Sequence, residues 1–381
     1  MLEAYYQELL KEITEEYCSE TKGPWIVAWS GGKDSSFLLH AVVEAVLNLP
    51  SRKRKREVTV LCNDTLVESP FVQRYVDGKM KELKAYFRRR RLPFKTVMTK
   101  PVLKDSFWVN LIGKGYPAPT RNFRWCTDRM KIKPTTFYIR GITREVGHSV
   151  LLIGVRRTES TERAKIAKKF DHYEGRLNPH RSLKNASVFR PILEWTTDDV
   201  WAFLATNSPP WGDNYDDLFS LYRDAVSGEC PVVIDPDAAP SCGSSSIRFG
   251  CWTCTVVAKD KSFRGSIENN SANEFEQALF YEMAEFRDWL KTVSADKTRR
   301  VGIRRNGQDG VGPMKIDLRK EIMRKVIRIQ KAVGFSLISD EEIAEIKRIW
   351  RVDEAMFSAY FRFRDRKGER ENKNEFQEIN C

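Results

Sequence analysis

Trp25-Ile26-Val27-Ala28-Trp29-Ser30-Gly31-Gly32-Lys33-Asp34-Ser35-Ser36 is the stretch from which the rest of the chain can be read. An apolar run ends in a Ser-Gly-Gly-Lys-Asp-Ser-Ser loop. Apolar residues then recur at helical spacing (Phe37, Leu38, Ala41, Val42, Ala45, Val46). The pattern predicts a strand, a glycine turn and a helix. Gly31 and Gly32 allow tight or positive-φ backbone that turns N–H groups inward. The helix start behind them adds partial positive charge, and Lys33 adds a full one. These parts make a cradle for phosphates, but not the Walker loop, which needs four residues between its first Gly and its Gly-Lys-Ser/Thr.

The 381 residues leave room for one large or two moderate domains, and 41% hydrophobic content is enough for a sizeable core. No apolar run reaches the roughly 18 residues of a membrane span, so no membrane partner is expected. The first residues, Met1 to Glu8, are acidic where an export signal would be basic. A cytoplasmic protein is therefore expected, with its eight cysteines reduced and available for metal or redox chemistry. Net charge is +13, concentrated at 52–56, 88–91, 299–305 and 362–373. Clustered cations release counterions from a phosphate backbone, so nucleic acid is the expected partner class.

Working outward, residues 1–22 read as an amphipathic helix before the first strand. A second strand, Val58 to Cys62, ends in Asn63-Asp64-Thr65. A helix over 71–91 follows Pro70, and a third strand covers Phe94 to Met98. Residues 101–128 lack periodicity, yet their apolar content argues against disorder. Pro134 suits the start of a helix reaching Val146, and Ser149 to Gly154 forms a short buried strand. This alternation predicts an α/β fold with a Rossmann-like, mostly parallel sheet, whose ligands gather beyond the strands' C-terminal ends. Residues 155–190 read as a polar excursion. After them come a helix capped by Thr196 or Thr197, a four-cysteine segment, and helices to the end, the last capped at Ser339. The expected organisation is 1–228 for the nucleotide domain, 229–265 for the cysteine segment and 266–381 for a helical C-terminal region.

Asp64 leaves the second strand on the same sheet edge as the phosphate loop. It can contact nucleotide or help place Mg²⁺; an Asx turn is the competing role. Arg156, in Gly154-Val155-Arg156-Arg157-Thr158-Glu159, can steady a polyphosphate through its planar donors, with salt bridging to Glu159 as the alternative. Cys126 stands among Arg121, Arg124, Arg129, Lys131 and Lys133, surroundings expected to lower a thiol's pKa and favour the nucleophilic thiolate. Cys230, Cys242, Cys251 and Cys254 are separated by eleven, eight and two residues. Four thiolates suit structural zinc or an iron–sulfur cluster, and the single close pair favours iron–sulfur over a zinc ribbon.

The phosphate loop resembles the PP-loop of ATP pyrophosphatases, the adenine nucleotide alpha-hydrolase type. More widely, the chain resembles DndC/SspD-like sulfurtransferases of bacterial DNA phosphorothioation systems, a branch of the PAPS-reductase-like superfamily. The resemblance covers about 25–270. It rests on Ser30 to Ser36, Asn63 to Glu68, Phe107-Trp108-Val109-Asn110-Leu111-Ile112-Gly113, Phe123 to Thr127, Trp195 to Trp201, and Arg248-Phe249-Gly250-Cys251-Trp252-Thr253-Cys254. It implies an enzyme that adenylates a DNA backbone phosphate with ATP and Mg²⁺, releases pyrophosphate, and replaces a non-bridging oxygen with sulfur. Lys33 would be catalytic, with Ser30, Gly31, Gly32, Asp34, Ser35, Ser36, Asp64 and Arg156 around the nucleotide. Cys126 would carry a persulfide received from a cysteine desulfurase. The four-cysteine set would hold a cluster, 4Fe–4S in type, and other phosphorothioation subunits would be partners in phage defence. Competing readings are a tRNA thiolase, a PAPS reductase acting on a small molecule, and a non-catalytic nucleotide- and DNA-binding scaffold.

Overall fold

The computed structural model describes residues 2–20, 23–159, 175–180, 182–225, 250–257 and 259–358. Its centre is β1 (Trp25–Ala28), an all-apolar strand that pairs in parallel on both sides. On one side lies β2 (Val58–Asn63), with Trp25 opposite Val58, followed by parallel β3 (Phe94–Thr99). On the other side lies β4 (Ser149–Ile153), with Trp25 opposite Val150. The sheet has six strands in the order β3-β2-β1-β4-β6-β5. Strand order reverses at β1, so the crevice beyond the ends of β1 and β4 is a topological switch point, where open α/β sheets bind ligands.

The outer strands correct the reading of 155–190 as an excursion. Beside β4 runs β6 (Ala186–Phe189), parallel to it, and β5 (Leu177–Pro179) closes the edge antiparallel. Three- and four-residue strands containing Asn178, Pro179 and Ser187 show too little apolar alternation to be read in advance.

The two sheet faces are covered unequally. On one face, α1 (Leu2–Tyr17), α2 (Lys33–Leu47) and α3 (Pro70–Arg89) build the main core with two later helices. Tyr6, Ile13, Trp25, Phe37, Leu38 and Val42 are all buried there, and Tyr5 stacks on Trp195 at 4.6 Å. The opposite face holds a smaller cluster, in which Ile139 of the helix Lys133–Val146 meets Ile26, Leu61 and Leu151. Thr196 caps the helix Thr197–Thr206 through a reciprocal capping box with Asp199. Thr196→Ala should lower unfolding free energy by about 1 kcal/mol, read as a lower urea midpoint at unchanged m-value.

The chain divides into two compact units, one of 1–101 with 119–287 and the other of 102–118 with 288–381. Of the non-periodic segment after β3, residues 102–118 thus belong to the helical unit. Trp108 donates its Nε1–H to the Leu337 carbonyl at 2.6 Å, and Trp350 donates to the Ile112 carbonyl at 2.9 Å. Fully buried Arg319 donates to the Gly113 carbonyl and to Asp353, which also receives both terminal nitrogens of Arg305. A helix spans 340–358, and its start is the expected cap: Ser339 Oγ accepts from Glu342 N, and Glu342 accepts from Ser339 N.

Candidate active site

At the end of β1 the chain makes a glycine turn straight into α2. Gly31 holds φ of 78°, and a Cβ there would stand 3.2 Å from Tyr75 and Val76 side-chain atoms. Gly32 precedes the helix and offers no side-chain cap. The first N–H groups of α2 thus keep the anion-binding character of a bare helix start. Inside the turn, Ser35 Oγ donates to the Gly32 carbonyl at 2.9 Å and accepts from Ser30 N at 3.2 Å. Ser36 Oγ accepts from Trp29 Nε1 at 3.1 Å. Two of the serines expected at the nucleotide therefore also brace the loop.

Lys33 Nζ lies 3.1 Å from Asp34 Oδ2 and 5.7 Å from the centre of the Tyr222 ring. Tyr222 Oη accepts from Lys33 N at 3.2 Å. No sequence signal marks Tyr222, which reaches the loop from the helix Asp216–Ala225, 189 positions away.

Arg156, after β4, is buried and donates from Nε to Asp34 Oδ1 at 2.7 Å. Its Nη1 donates to Thr158 at 3.2 Å and Thr197 at 2.9 Å. Arg156 thus fixes Asp34, while Arg157 pairs with Glu194. Gly154 makes this approach possible: a Cβ there would lie 2.8 Å from the Asp34 carbonyl oxygen and 3.1 Å from Ser35 N. Both atoms are backbone, so an added methyl must push the loop. Gly154→Ala should keep the fold by circular dichroism yet lower any activity that depends on this loop about 10- to 100-fold in kcat/KM, since small misplacements at a reacting group cost that much.

Asp64 is buried at the end of β2. Its Oδ1 accepts from Leu66 N at 2.8 Å, and its Oδ2 lies 3.2 Å from Lys100 Nζ. The Asx turn holds Leu66 at φ of 65°, a conformation that a branched side chain adopts only when its surroundings enforce it. The same loop reaches the cysteines. Thr65 Oγ1 donates to Glu68 at 2.9 Å and lies 3.3 Å from Cys251 Sγ. Glu68 and Cys251 form an antiparallel bridge, with Ser69 N on the Gly250 carbonyl and Trp252 N on the Val67 carbonyl.

Cys126 sits in a helical turn, Trp125–Thr127, running into a π-helical turn, Asp128–Ile132. The expectation of a lowered pKa fails here. Burial pushes the Cys126 thiol up, and the charge of Cys254 pushes the same way. Two of the neighbouring cations have partners of their own: Arg129 lies over the Trp125 ring, and Lys133 pairs with Asp128. Burial opposes the charge of Lys131, but Glu68, Cys251, Cys126 and Cys254 together raise its pKa. Its Nζ stands 4.0 Å from Glu68 Oε1, so that carboxylate is its counter-charge beside the thiols.

Cys254 N donates to the Cys251 carbonyl at 3.1 Å, the tight turn expected of a Cys-x-x-Cys pair. Cys230 and Cys242 lie outside the described residues. Among the described residues, no three His, Cys, Asp or Glu side chains group closely enough to hold a metal ion. Two buried polar atoms beside the pair, Glu68 Oε2 and Thr253 Oγ1, have no hydrogen-bond partner. No helix among the described residues is long and apolar enough to cross a membrane.

A model of the phosphoadenosine phosphosulfate reductase domain matches residues 24–257. An uncharacterised protein of Methanocaldococcus jannaschii is 25% identical over 220 residues, 58% of this chain and 39% of that protein. The adenosine 5'-phosphosulfate reductase of Neisseria meningitidis serogroup A is 28% identical over 106 residues, 28% of this chain and 36% of the enzyme. The chain thus spans about two fifths of the length of these curated relatives. Among solved structures, phosphoadenylyl-sulfate reductase from Candida auris aligns at a TM-score of 0.33 and 14% identity, over 55% of this chain and 88% of that one. The U34-tRNA thiolase NcsA from Methanococcus maripaludis, solved with its 4Fe–4S cluster, aligns at 0.34 and 12%, over 87% and 88%.

Proposed function

The chain belongs to the phosphoadenosine phosphosulfate reductase domain family, and from that premise we propose an ATP-dependent sulfurtransferase that acts on the DNA backbone. The observation that carries the reading is the loop 64–68. Asp64 ends the strand beside that of the phosphate loop, and one residue later Thr65 meets the Cys251 thiol at 3.3 Å. A loop that can serve phosphate activation thus also touches a thiol, which supports joining the two chemistries in one enzyme.

In the first step a non-bridging oxygen of a DNA phosphodiester attacks the α-phosphorus of ATP. The α–β bond breaks and pyrophosphate leaves, its charge met by Lys33, the loop N–H groups and the start of α2. Mg²⁺ would arrive with the nucleotide and neutralise the leaving charge, with Asp64 the carboxylate at hand. In the second step the terminal sulfur of a persulfide on Cys126, loaded by a cysteine desulfurase, attacks the adenylated phosphorus. AMP departs with the former non-bridging oxygen. A thiol then attacks the remaining Cys126 sulfur, releases the phosphorothioate and leaves a disulfide, which an external thiol reductant reopens. The transferred sulfur gains the two electrons that the thiol pair gives up. Lys131 balances the anionic sulfur throughout.

Cys230, Cys242, Cys251 and Cys254 would hold the iron–sulfur cluster, which supplies electron-holding or sulfur-binding capacity when bound. The thiol pair and the orphaned Thr253 hydroxyl beside it, a donor for cluster sulfur, fit such a group.

The deciding experiment is deletion of the gene followed by digestion of host DNA. Phosphorothioate dinucleotides should disappear, and their persistence would remove this function. Loss of thiolated tRNA in their place would support the thiolase reading.

A further inference from the structure

We infer that the helical unit carries a DNA-backbone docking groove between the helix Ile316–Val333 and the helix spanning 340–358. The inference rests on the DNA substrate proposed above and names the surface that holds its flank. The groove has a volume of about 410 Å³ and is lined by Lys320, Lys347, Trp350, Arg351 and Glu354. Lys320 pairs with Glu354 at 3.3 Å and lies 5.9 Å from the Trp350 ring centre. Among the described residues no carboxylate pairs with Lys347 or Arg351, both exposed.

The charge continues along the first helix. Lys320, Arg324, Arg328 and Lys331 recur at intervals of four, four and three, which places them on one side, and all four are exposed. Leu318, Ile322, Val326 and Ile329 occupy the buried side. At 1.5 Å per residue the basic row runs about 16 Å. A DNA duplex presents roughly nine charges over that length, so the row meets a polyanion rather than a single phosphate. Trp350 decides what kind. Its ring is only 6% exposed and its Nε1 is spent on Ile112, so it gives no open face for base stacking. Without stacking platforms the groove reads backbone charge, which favours a duplex over an unpaired strand.

The test uses the full chain carrying Arg324→Glu, Arg328→Glu, Lys347→Glu and Arg351→Glu together, with a fluorescent DNA duplex followed by anisotropy across a salt titration. Affinity at low salt should fall about 100-fold. The slope of log K against log salt should shrink by roughly three to four, near 0.9 for each phosphate no longer neutralised. The four-fold Gln version should shift both in the same direction by less. ATP affinity measured without DNA by isothermal titration calorimetry should stay at the wild-type value. Unchanged affinity and slope would overturn the groove, and tighter wild-type binding to unpaired RNA than to duplex DNA would overturn its occupant. The two readings fail separately: phosphorothioates that persist after gene deletion remove the function, and an unchanged slope removes the groove.

Discussion

Replacing Lys33 with alanine is expected to reduce ATP-dependent pyrophosphate release by about two to three orders of magnitude, the usual effect of losing a preorganised charge stabiliser. The ammonium is held in place rather than free. It lies 3.1 Å from Asp34 Oδ2, faces the Tyr222 ring, and stands at a helix start with no side-chain cap. Charge that builds on a departing pyrophosphate meets it with little reorganisation. The loss should fall on kcat more than on KM, because the cation matters most when the leaving group carries full charge. Asp34 keeps Arg156 as a partner in the variant, so folding should survive. A Lys33→Ala protein that releases pyrophosphate within threefold of wild type would rule out this role. Release of inorganic phosphate by the wild type would rule out adenylation altogether.

Arg156→Met is the counterpart on the stability side. Arg156 is 1% exposed, and its guanidinium reaches Asp34, Thr158 and Thr197. Methionine fills part of the volume but leaves the Asp34 carboxylate, itself mostly buried, without its main counter-charge. Breaking a buried pair from one side costs about 3–5 kcal/mol, and the nearby Lys33 ammonium places this case at the lower end. Chemical denaturation should show a loss near 3 kcal/mol. Adding Asp34→Asn should recover part of it, because the second change removes the stranded charge. A loss below 1 kcal/mol, or no recovery in the double variant, would mean that the pair does not hold the loop.

Much of the fold is legible because its signals are local. The apolar runs at 25–28, 58–63 and 149–153, and the prolines at 70 and 134, mark strands and helix starts that need no tertiary information. The destination of 102–118 is not legible. Its tryptophan and backbone groups find partners 229 and 238 positions away, which no periodicity announces. Cys126 shows a different limit. Cations adjacent in sequence suggest an activated thiol, but helical turns send neighbouring side chains in different directions: Arg129 to the Trp125 ring, Lys133 to Asp128 and Lys131 towards the thiols. Burial then outweighs it. Lys33, Asp34 and Arg156 come together at the phosphate loop, Arg156 through the Asp34 carboxylate, and Gly154 makes the close approach possible.

The bridge between the loop after β2 and the Cys251 loop also has a meaning in time. The phosphate turn joins a strand to the helix directly after it, so it closes almost no loop. Thr65 and Cys251, by contrast, are 186 positions apart, and joining such distant points costs about 4–5 kcal/mol of chain entropy by the (3/2)RT ln n relation. That cost is met only after the sheet has drawn both ends together, so the bridge is among the last contacts to form. In chain-entropy terms the phosphate turn is the early corner of this sheet edge, and the Thr65–Cys251 contact is a late one.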